Sequence, residues 1–592
     1  MSSGQQRSRC DNWVADFETT TDPEDCRVWG WAITPVYHDS DNDVEFGNTI
    51  DDFIAKVSQL NGKVYFHNLE FDGKFVLDYL LKNGFKHNAD SKDKLRAGEF
   101  ATIISDMGRF YSITVKFSNR SRIEFRDSLK KLPMTVERIA KSFNLEILKG
   151  SIDYHTFRPI GYKMTCAEKE YVRNDVLIVA KALRVQLDSG MTKLTVGSDS
   201  LAEYKGLFGK SFDTIFPILP KSMDDDITHA YRGGWTMPAK RFRGKVLKTP
   251  VRVYDVNSLY PSVMRHKLLP WGMPRWFDGM PPVDDEYPLY VASVTFTAHL
   301  KPDHVPCIQL RSHRFNYSEY SEVIDMPVTM TATNVDLELW AEQYDLEVLA
   351  WEGGWQFKGT YGLFDSYIDK WMAVKTTSEG GLKELAKLHL NNLYGKFATN
   401  PNVTPKIPVL VDDVVKYVKG TDELRDPVYT AVGVFITSYA RDITIRAAQE
   451  NYEIFAYADT DSLHLLTDSD PTNLDIDPAR LGAWKFEGAW DAAIYVRPKC
   501  YTEWRQRCLC PNQPHADGRC YNTRIAGLPE TIRRRITFAD YYNDHVFDDK
   551  LVPATVPGGV VLRTMRWKLS DDYLPDVVDM GSLPDLEWIT TN

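Results

Sequence analysis

The chain has 592 residues, 43% of them hydrophobic and 26% charged, with a formal net charge of −11; this is an ordinary soluble composition, too long for a single core. No stretch approaches the roughly 18 consecutive apolar residues of a membrane span, and eight cysteines are too sparse for a disulfide framework, so a reducing cytosol fits best. The acidic total argues mildly against a nucleic-acid partner, but it averages over a surface that can still hold a basic channel, and divalent metals reverse the local sign where carboxylates gather.

The polar N-terminus, Met1 to Cys10, lacks the apolar core of a secretory signal. From there to about residue 195, strand-like segments (Val28 to Ile33, Lys63 to Phe66) alternate with helix-like ones such as Phe75 to Leu81, which predicts an α/β domain. Trp13-Val14-Ala15 leads into Asp16-Phe17-Glu18. On a strand, residues i and i+2 face one side, so Asp16 and Glu18 point together and repel unless a cation lies between them. Alone, the pair reads as a solvated strand edge. His67-Asn68-Leu69-Glu70-Phe71-Asp72-Gly73 follows the strand-like Val64-Tyr65-Phe66, where an Asp beside Gly is often turn chemistry. Tyr171 and Asp175 precede the apolar Val176 to Ala180 and are i, i+4 neighbours on a helix. The phenol there orients a water, or the Asp is simply solvated. Together, Asp16, Glu18, Asp72 and Asp175 form a set able to hold two divalent ions about 4 Å apart for in-line attack on a phosphodiester.

The region from about 196 to 533 is less regular, with Pro-rich stretches at Pro270–Pro282 and Pro401–Pro408 that read as surface excursions. Val253 to Pro261 starts as a strand and ends in a turn, presenting Asp255 at the strand end. Lys383 to Phe397 has helical spacing, with Lys383, Lys387, Asn391 and Tyr394 on one broad face. Either that face holds a triphosphate and a base, or it is a solvated amphipathic helix. Asp459-Thr460-Asp461, between apolar runs, fits a tight hairpin with carboxylates at its tip. Cys508, Cys510, His515 and Cys520 raise a zinc site, although Cys-x-Cys is shorter than the usual spacing, and a loop is the competing reading. Arg533-Arg534-Arg535 is a phosphate-contacting patch or a solvated face. Beyond about 534, Val556-Pro557-Gly558-Gly559-Val560 predicts a hairpin.

The three carboxylate segments of the first region resemble, in order and spacing, the exonuclease motifs of family B DNA polymerases. Asp-x-x-Ser-Leu-Tyr-Pro at Asp255, Lys-x-x-x-Asn-x-x-Tyr-Gly at Lys387 and Tyr-x-Asp-Thr-Asp at Tyr457 resemble polymerase motifs A, B and C of that family. Tyr231-Arg232-Gly233-Gly234, Lys499-Cys500-Tyr501, Thr376 to Gly380, Gly433 to Thr437 and the Val556 to Val560 turn narrow the resemblance to the protein-primed branch, the phi29-type phage polymerases. It runs from about Asp16 to the chain end.

The resemblance implies an RNase H-like α/β 3′→5′ exonuclease domain at 1–195 and an α+β right-hand polymerase. Its palm is expected at 196–266 and 428–533, its fingers at 363–398 and its thumb at 534–592. Two insertions are implied: 267–362, contacting DNA and a terminal protein whose hydroxyl primes synthesis, and 399–427, closing a ring for processivity and strand displacement.

It also implies two Mg²⁺ per active site, with Mn²⁺ as a substitute. The exonuclease ions fall to Asp16, Glu18, Asp72 and Asp175; the polymerase ions fall to Asp255, Val256 and Asp461, with Asp459 in support. Tyr171 is implied to position the exonuclease water and Lys149 to assist at the scissile phosphate, while Thr19, Asn68, Phe71 and Ser128 handle the single-stranded 3′ end. Val256, Tyr260, Lys375, Lys387, Asn391 and Tyr394 are implied to bind the dNTP, the Tyr260 ring leaving no room for a 2′-OH. Contacts to primer–template DNA are implied for Tyr231, Gly233, Gly234, Ser258, Gly395, Phe397, Thr437, Arg441, Lys499 and Tyr501, the glycines allowing close backbone approach to DNA.

The expected protein is therefore a proofreading DNA polymerase of the host-cell cytoplasm with no membrane association, monomeric or paired with a terminal protein. Two alternatives stay open: a family B polymerase using ordinary nucleic-acid primers, and a nuclease whose polymerase domain is inactive.

Overall fold

A computed structural model of the chain describes residues 12–37, 40, 42–89, 92–154, 156–310, 320–507 and 520–572. The zinc expectation on Cys508, Cys510 and His515 lies outside the described residues, and Cys520 is buried in the strand Cys520–Ile525. Among the described residues no helix is long and apolar enough to cross a membrane.

The first unit is an eight-stranded mixed sheet. Its centre is parallel: Asn12–Thr19 beside Gly62–Phe66 beside Arg122–Asp127. Strand alternation divides the apolar residues between two faces. Phe17, Val64 and Phe66 point into a core with Phe53, Phe75 and Phe125, under the helix Leu69–Lys82. Val14, Tyr65 and Ala32 point into another with Val172, Val176 and Leu183, under the helix Cys166–Asp188. That second helix opens with a capping box between Thr165 and Glu168, which satisfies two otherwise orphaned backbone donors.

The second unit is a five-stranded antiparallel sheet in the order Trp484–Trp490, Val251–Val256, Ser462–Leu465, Phe455–Asp459, Thr236–Pro238. The helix Thr430–Glu450 packs against it and buries residues on nearly every side, from Ala431 to Ala448. Two antiparallel helices, Asp365–Thr377 and Gly380–Asn392, stand beside it.

The Pro-rich stretch expected to be irregular belongs instead to a regular four-stranded sheet: Leu269–Phe277, Tyr344–Thr360, Leu289–Leu300 and Val323–Thr333. The prolines are tolerated because Leu269–Phe277 is an edge strand with a register shift between Trp271 and Arg275. The other stretch carries a hairpin, Lys406–Val411 with Val414–Lys419, turned by Asp412 and Asp413 at positive φ.

Distant segments return to the first unit. Val415 enters its core and the Tyr417 ring meets Phe110 at 5.8 Å, while Lys82 pairs with Asp413 at 3.1 Å. The hairpin Val546–Val556 with Gly559–Lys568 docks its tip on the same helix: Gly558 N donates to Asp78 Oδ1 at 3.2 Å. Gly558 has φ +91, and a Cβ there would lie 2.2 Å from the Cys26 carbonyl oxygen, so the approach requires glycine. The strands Val414–Lys419 and Val546–Val556 also touch, so the first unit, the inserted hairpin and the C-terminal hairpin close a circuit of contacts.

One buried ion pair ties the helix Asn334–Gln343, which links two strands of the four-stranded sheet and packs on it, to the rest. Arg441, on the helix Thr430–Glu450, donates to Asp336 Oδ1 at 2.8 Å and Oδ2 at 2.7 Å, and Ser438 Oγ donates to the same carboxylate. Both charges are nearly inaccessible, at 4% and 2% exposed. Removing one partner strands the other, whereas removing both does not. Arg441→Leu alone is expected to lower stability by about 3–5 kcal/mol, and Arg441→Leu with Asp336→Leu to recover most of that loss. Chemical denaturation of the two variants checks it; equal losses would show that the pair carries no such coupling.

Candidate active sites

The first site lies at the end of a central strand of the eight-stranded sheet, in a cavity of about 800 Å³. Asp16 and Glu18 project from the strand Asn12–Thr19, and Asp175 from the helix Cys166–Asp188. Asp72, whose neighbouring Gly suggested a turn, sits instead in the first turn of the helix Leu69–Lys82, where the helix dipole favours a carboxylate. The residue before that helix, Asn68, is left-handed at φ 82 and donates its backbone N to Asp127 Oδ1 at 3.1 Å.

Burial, and next Asp175, push the Asp16 carboxyl up to about 7. Burial and the Asp16 and Asp175 charges hold Glu18 well above the usual carboxylate range, and burial with Asp16 does the same to Asp72. Lys149 Nζ donates to Asp175 Oδ2 at 2.7 Å; although burial pulls this lysine down, Asp175 more than compensates and raises it. Tyr171 OH and Tyr154 OH are 2.7 Å apart.

Among the described residues, no three His, Cys, Asp or Glu side chains are already drawn together as a cage. The donor set nevertheless fits a hard divalent cation: the ligands are carboxylate oxygens, they raise one another, and Asp175 Oδ1 is buried without a hydrogen-bond partner. Thr19, Asn68 and Phe71 line the cavity as expected. Ser128 does not. It is fully buried, bonding to the Phe66 carbonyl and to His67, and the next residue of the 3₁₀ turn, Leu129, lines the wall instead. Tyr154 and three residues of the C-terminal hairpin, Leu551, Val561 and Leu562, also line it; no local pattern in the sequence marks them.

The second site is built on the five-stranded sheet. Asp255 lies in register with Ser462 on one side and Lys485 on the other, which brings it to the hairpin carrying Asp459 and Asp461. Thr460 turns that hairpin at φ 61, and Val256 N donates to the Asp461 carbonyl at 2.8 Å. Burial, and then Asp461, raise Asp255 to about 7; Asp461 is raised by burial and by Asp459. Asp459 is otherwise engaged, accepting from Lys499 Nζ at 2.6 and 2.9 Å and from Thr236 Oγ1 at 3.0 Å. The Val256 side chain is 3% exposed, which leaves only its main chain to serve a ligand.

Cations gather opposite the carboxylates. Lys375 donates to Ser258 Oγ at 3.0 Å and is pushed down by burial and by Lys387, Lys485 and Lys383. Lys387 pairs with Glu384 at 2.5 Å, while Asn391 on the same helix is exposed. The Tyr260 and Tyr394 rings stack at 3.9 Å and 22°. Lys485, and Glu487 which helps to raise Asp255, went unnoticed in the sequence because only sheet register brings them near.

Several expected DNA contacts face inward. Phe397 is buried beside Tyr204, Phe216 and Phe364. Thr437 bonds back to the Gly433 and Val434 carbonyls, and Arg441 donates to Asp336 and to the carbonyls of Arg232 and Gly233. The cause is common to Thr437 and Arg441: their helix is covered by the sheet and by its neighbours. Gly234 approaches protein rather than DNA, since a Cβ there would lie 2.4 Å from Thr460 Oγ1, whereas Gly233 and Gly395 face open space. Tyr231 is partly buried beside the Tyr260 and Tyr394 rings. Lys499 and Tyr501 line a groove of about 290 Å³ beside Asp459, joined by Arg524 and Arg533.

Comparison with known proteins places the chain as a whole among DNA polymerases. The family DNA polymerase type B, organellar and viral, matches residues 54–160 and 149–477. The DNA polymerase of Bacillus phage phi29 is 41% identical over 571 residues, covering 93% of this chain and 97% of the relative. That of Streptococcus phage Cp-1 is 32% identical, covering 95% and 99%. The structure of phi29 DNA polymerase with primer–template DNA and incoming nucleotide superposes with a TM-score of 0.88 at 40% identity, covering 94% of this chain and 99% of the other. A structure of the same polymerase with single-stranded DNA gives 0.87 at 39% identity and the same coverage.

Raised carboxyls have a thermal consequence. Asp16 moves from 3.8 to about 7 on folding, so within that window the folded chain binds a proton that the unfolded chain lacks. Stability of the metal-free protein is therefore present at the acid end and falls as pH rises through the window. Asp255 acts in the same sense. The melting temperature without metal is expected to fall between about pH 5 and pH 8, and millimolar Mg²⁺ to raise it more at the higher pH. An equal rise at both values, read by differential scanning fluorimetry, would count against cation binding by these carboxylates.

Proposed function

The chain belongs to the organellar and viral type B DNA polymerases, and from that premise we propose that it extends DNA at the Asp255–Asp461 cleft and excises primer ends in the Asp16–Glu18–Asp72–Asp175 cavity. The observation that carries the reading is the pairing of two separate sets of buried, mutually raised carboxylates in one chain, each with lysines beside it.

Polymerases of this family use divalent metal ions; we assign Mg²⁺, with Mn²⁺ as a substitute, two per site. Such ions, when bound, polarise phosphoryl oxygens and offset charge on the attacking and leaving oxygens. Asp255, Asp461 and the main chain of Val256 would hold them in the polymerase cleft, and the four clustered carboxylates in the exonuclease cavity. Asp459 supports the first set through its bonds to Lys499 and Thr236.

The remaining steps fall to the chain's own groups. Lys375 and Lys387 neutralise the triphosphate, a preorganised charge that needs no rearrangement during transfer. Tyr260, braced by Tyr394, walls the sugar and selects against a 2′-OH, and Asn391 faces the nascent pair. In the exonuclease cavity Tyr171, bonded to Tyr154, orients the attacking water, and Lys149 offsets charge at the phosphate. Thr19, Asn68 and Phe71 receive the single-stranded end.

The relatives solved with primer–template DNA, nucleotides and single-stranded DNA support this division of labour. Their phage origin supports priming by a terminal protein held at the 267–362 insertion, strand displacement aided by the 399–427 hairpin, and work in the host-cell cytoplasm. The other assignments follow suit: exonuclease at 1–195, palm at 196–266 and 428–533, fingers at 363–398 and thumb from 534. Among them, Tyr231, Gly233, Ser258, Gly395, Lys499 and Tyr501 remain the residues we place against primer–template DNA.

A labelled primer–template incubated with Mg²⁺ should lengthen with deoxynucleotides and shorten without them. Asp461→Ala should remove only lengthening, and Asp16→Ala only shortening, each by at least about 10²–10³-fold. A primer that shortens under both conditions and never grows would leave a nuclease with an inactive polymerase domain.

A further inference from the structure

We propose that Glu503 is a positioning residue that seats Lys499 and Tyr501 against the catalytic hairpin, and so sets how firmly a primer end is held for extension rather than released to the exonuclease cavity. The inference rests on the two-site reading above.

Glu503 is a carboxylate at 1% exposure, a burial that is costly unless its oxygens are hydrogen-bonded. Three strands converge on it. His464, on the catalytic hairpin strand Ser462–Leu465, has Nδ1 at 2.7 Å from Oε1. The Tyr495 hydroxyl, on the strand Ala492–Arg497, donates to the same oxygen at 3.0 Å. Asn522 Nδ2, on the strand Cys520–Ile525, donates to Oε2 at 2.8 Å. A carboxylate so surrounded is satisfied only in one arrangement of the three strands, which makes it a geometric constraint as well as a contact.

That constraint reaches the primer groove along one strand. Residues i and i+2 share a face, so Tyr501 lies on the face of Glu503, its ring 5.3 Å from His464 and 4.8 Å from Tyr457. In the turn just before that strand, Cys500–Arg505, Lys499 N donates to the Tyr457 hydroxyl at 2.9 Å, and its Nζ grips Asp459. Glu503 thus fixes the root of a segment whose tip is the Lys499–Asp459 pair. Releasing the root loosens the Lys499 grip on Asp459 while leaving the contacts of Asp255, Asp461 and the four carboxylates of the other cavity as they are.

The test follows a labelled primer–template with the full-length protein and finds the deoxynucleotide concentration at which extension just balances excision. Glu503→Leu is expected to raise that balance point about tenfold, Glu503→Gln by less because it keeps polar atoms for His464 and Asn522. Degradation of single-stranded DNA should stay within about twofold of the starting protein in both. An unchanged balance point overturns the proposal. So does a parallel fall of extension and single-strand degradation that follows the folded fraction measured by circular dichroism, since that marks a purely structural role. Should Glu503→Leu fail to fold, the shift in Glu503→Gln decides. If the unaltered protein degrades but never extends, the two-site reading itself falls, and the proposal with it.

Discussion

Carboxylates do not gather out of water unless something compels them, and in this chain two groups of them do. Asp16 sits beside Glu18, Asp72 and Asp175, and Asp255 beside Asp461, each group raising the proton affinity of its members through burial and mutual repulsion. Secondary structure bears that cost. Strand alternation fixes Asp16 with Glu18, a helix start holds Asp72, and a hairpin turned at Thr460 holds Asp461 against Asp255. A helix entered through a left-handed residue stands beside each site, Asn68 at φ 82 and Ser258 at φ 54. Neither is glycine, so each is strained backbone retained where the surrounding fold dictates it. The cations nearby, Lys149 at one site and Lys485 at the other, temper the repulsion, yet Asp16 and Asp255 stay raised.

What the sequence made legible is what short-range geometry determines. Asp-x-Glu on a strand, Tyr and Asp one turn apart on a helix, and Asp-Thr-Asp between apolar runs are each visible within a few residues, and all lie where those patterns put them. Orientation across longer distances was not legible. Thr437 and Arg441 lie on a helix that buries residues from Ala431 to Ala448, and only the layers packed around it decide that both point inward. Ser128 and Leu129 exchange roles through a single step of a 3₁₀ turn. Lys485 and Glu487 reach Asp255 through the pairing of two strands some 230 residues apart in number, which no local pattern records. The prolines of Leu269–Phe277 looked like a break because their position on a sheet edge is a property of the assembled sheet.

The two sites are also mechanically joined. The inserted hairpin and the C-terminal hairpin both rest on the first unit, through Val415 and Lys82–Asp413 on one side and through Gly558 and Val560 on the other. Arg441 adds a tie from within, since its guanidinium joins Asp336 on the helix Asn334–Gln343 to the Arg232 and Gly233 carbonyls.

The wall of the exonuclease cavity formed by Leu551, Val561 and Leu562 gives the order of synthesis a meaning. All four carboxylates of that cavity leave the ribosome within the first third of translation, and the N-terminal domain can fold as it emerges. Its enclosure waits for almost the last segment to be made. A nascent or prematurely terminated chain would thus carry the four carboxylates in a cavity that lacks the wall of Leu551, Val561 and Leu562. Completion of the polypeptide, rather than folding of the first domain, is the event that finishes the cavity.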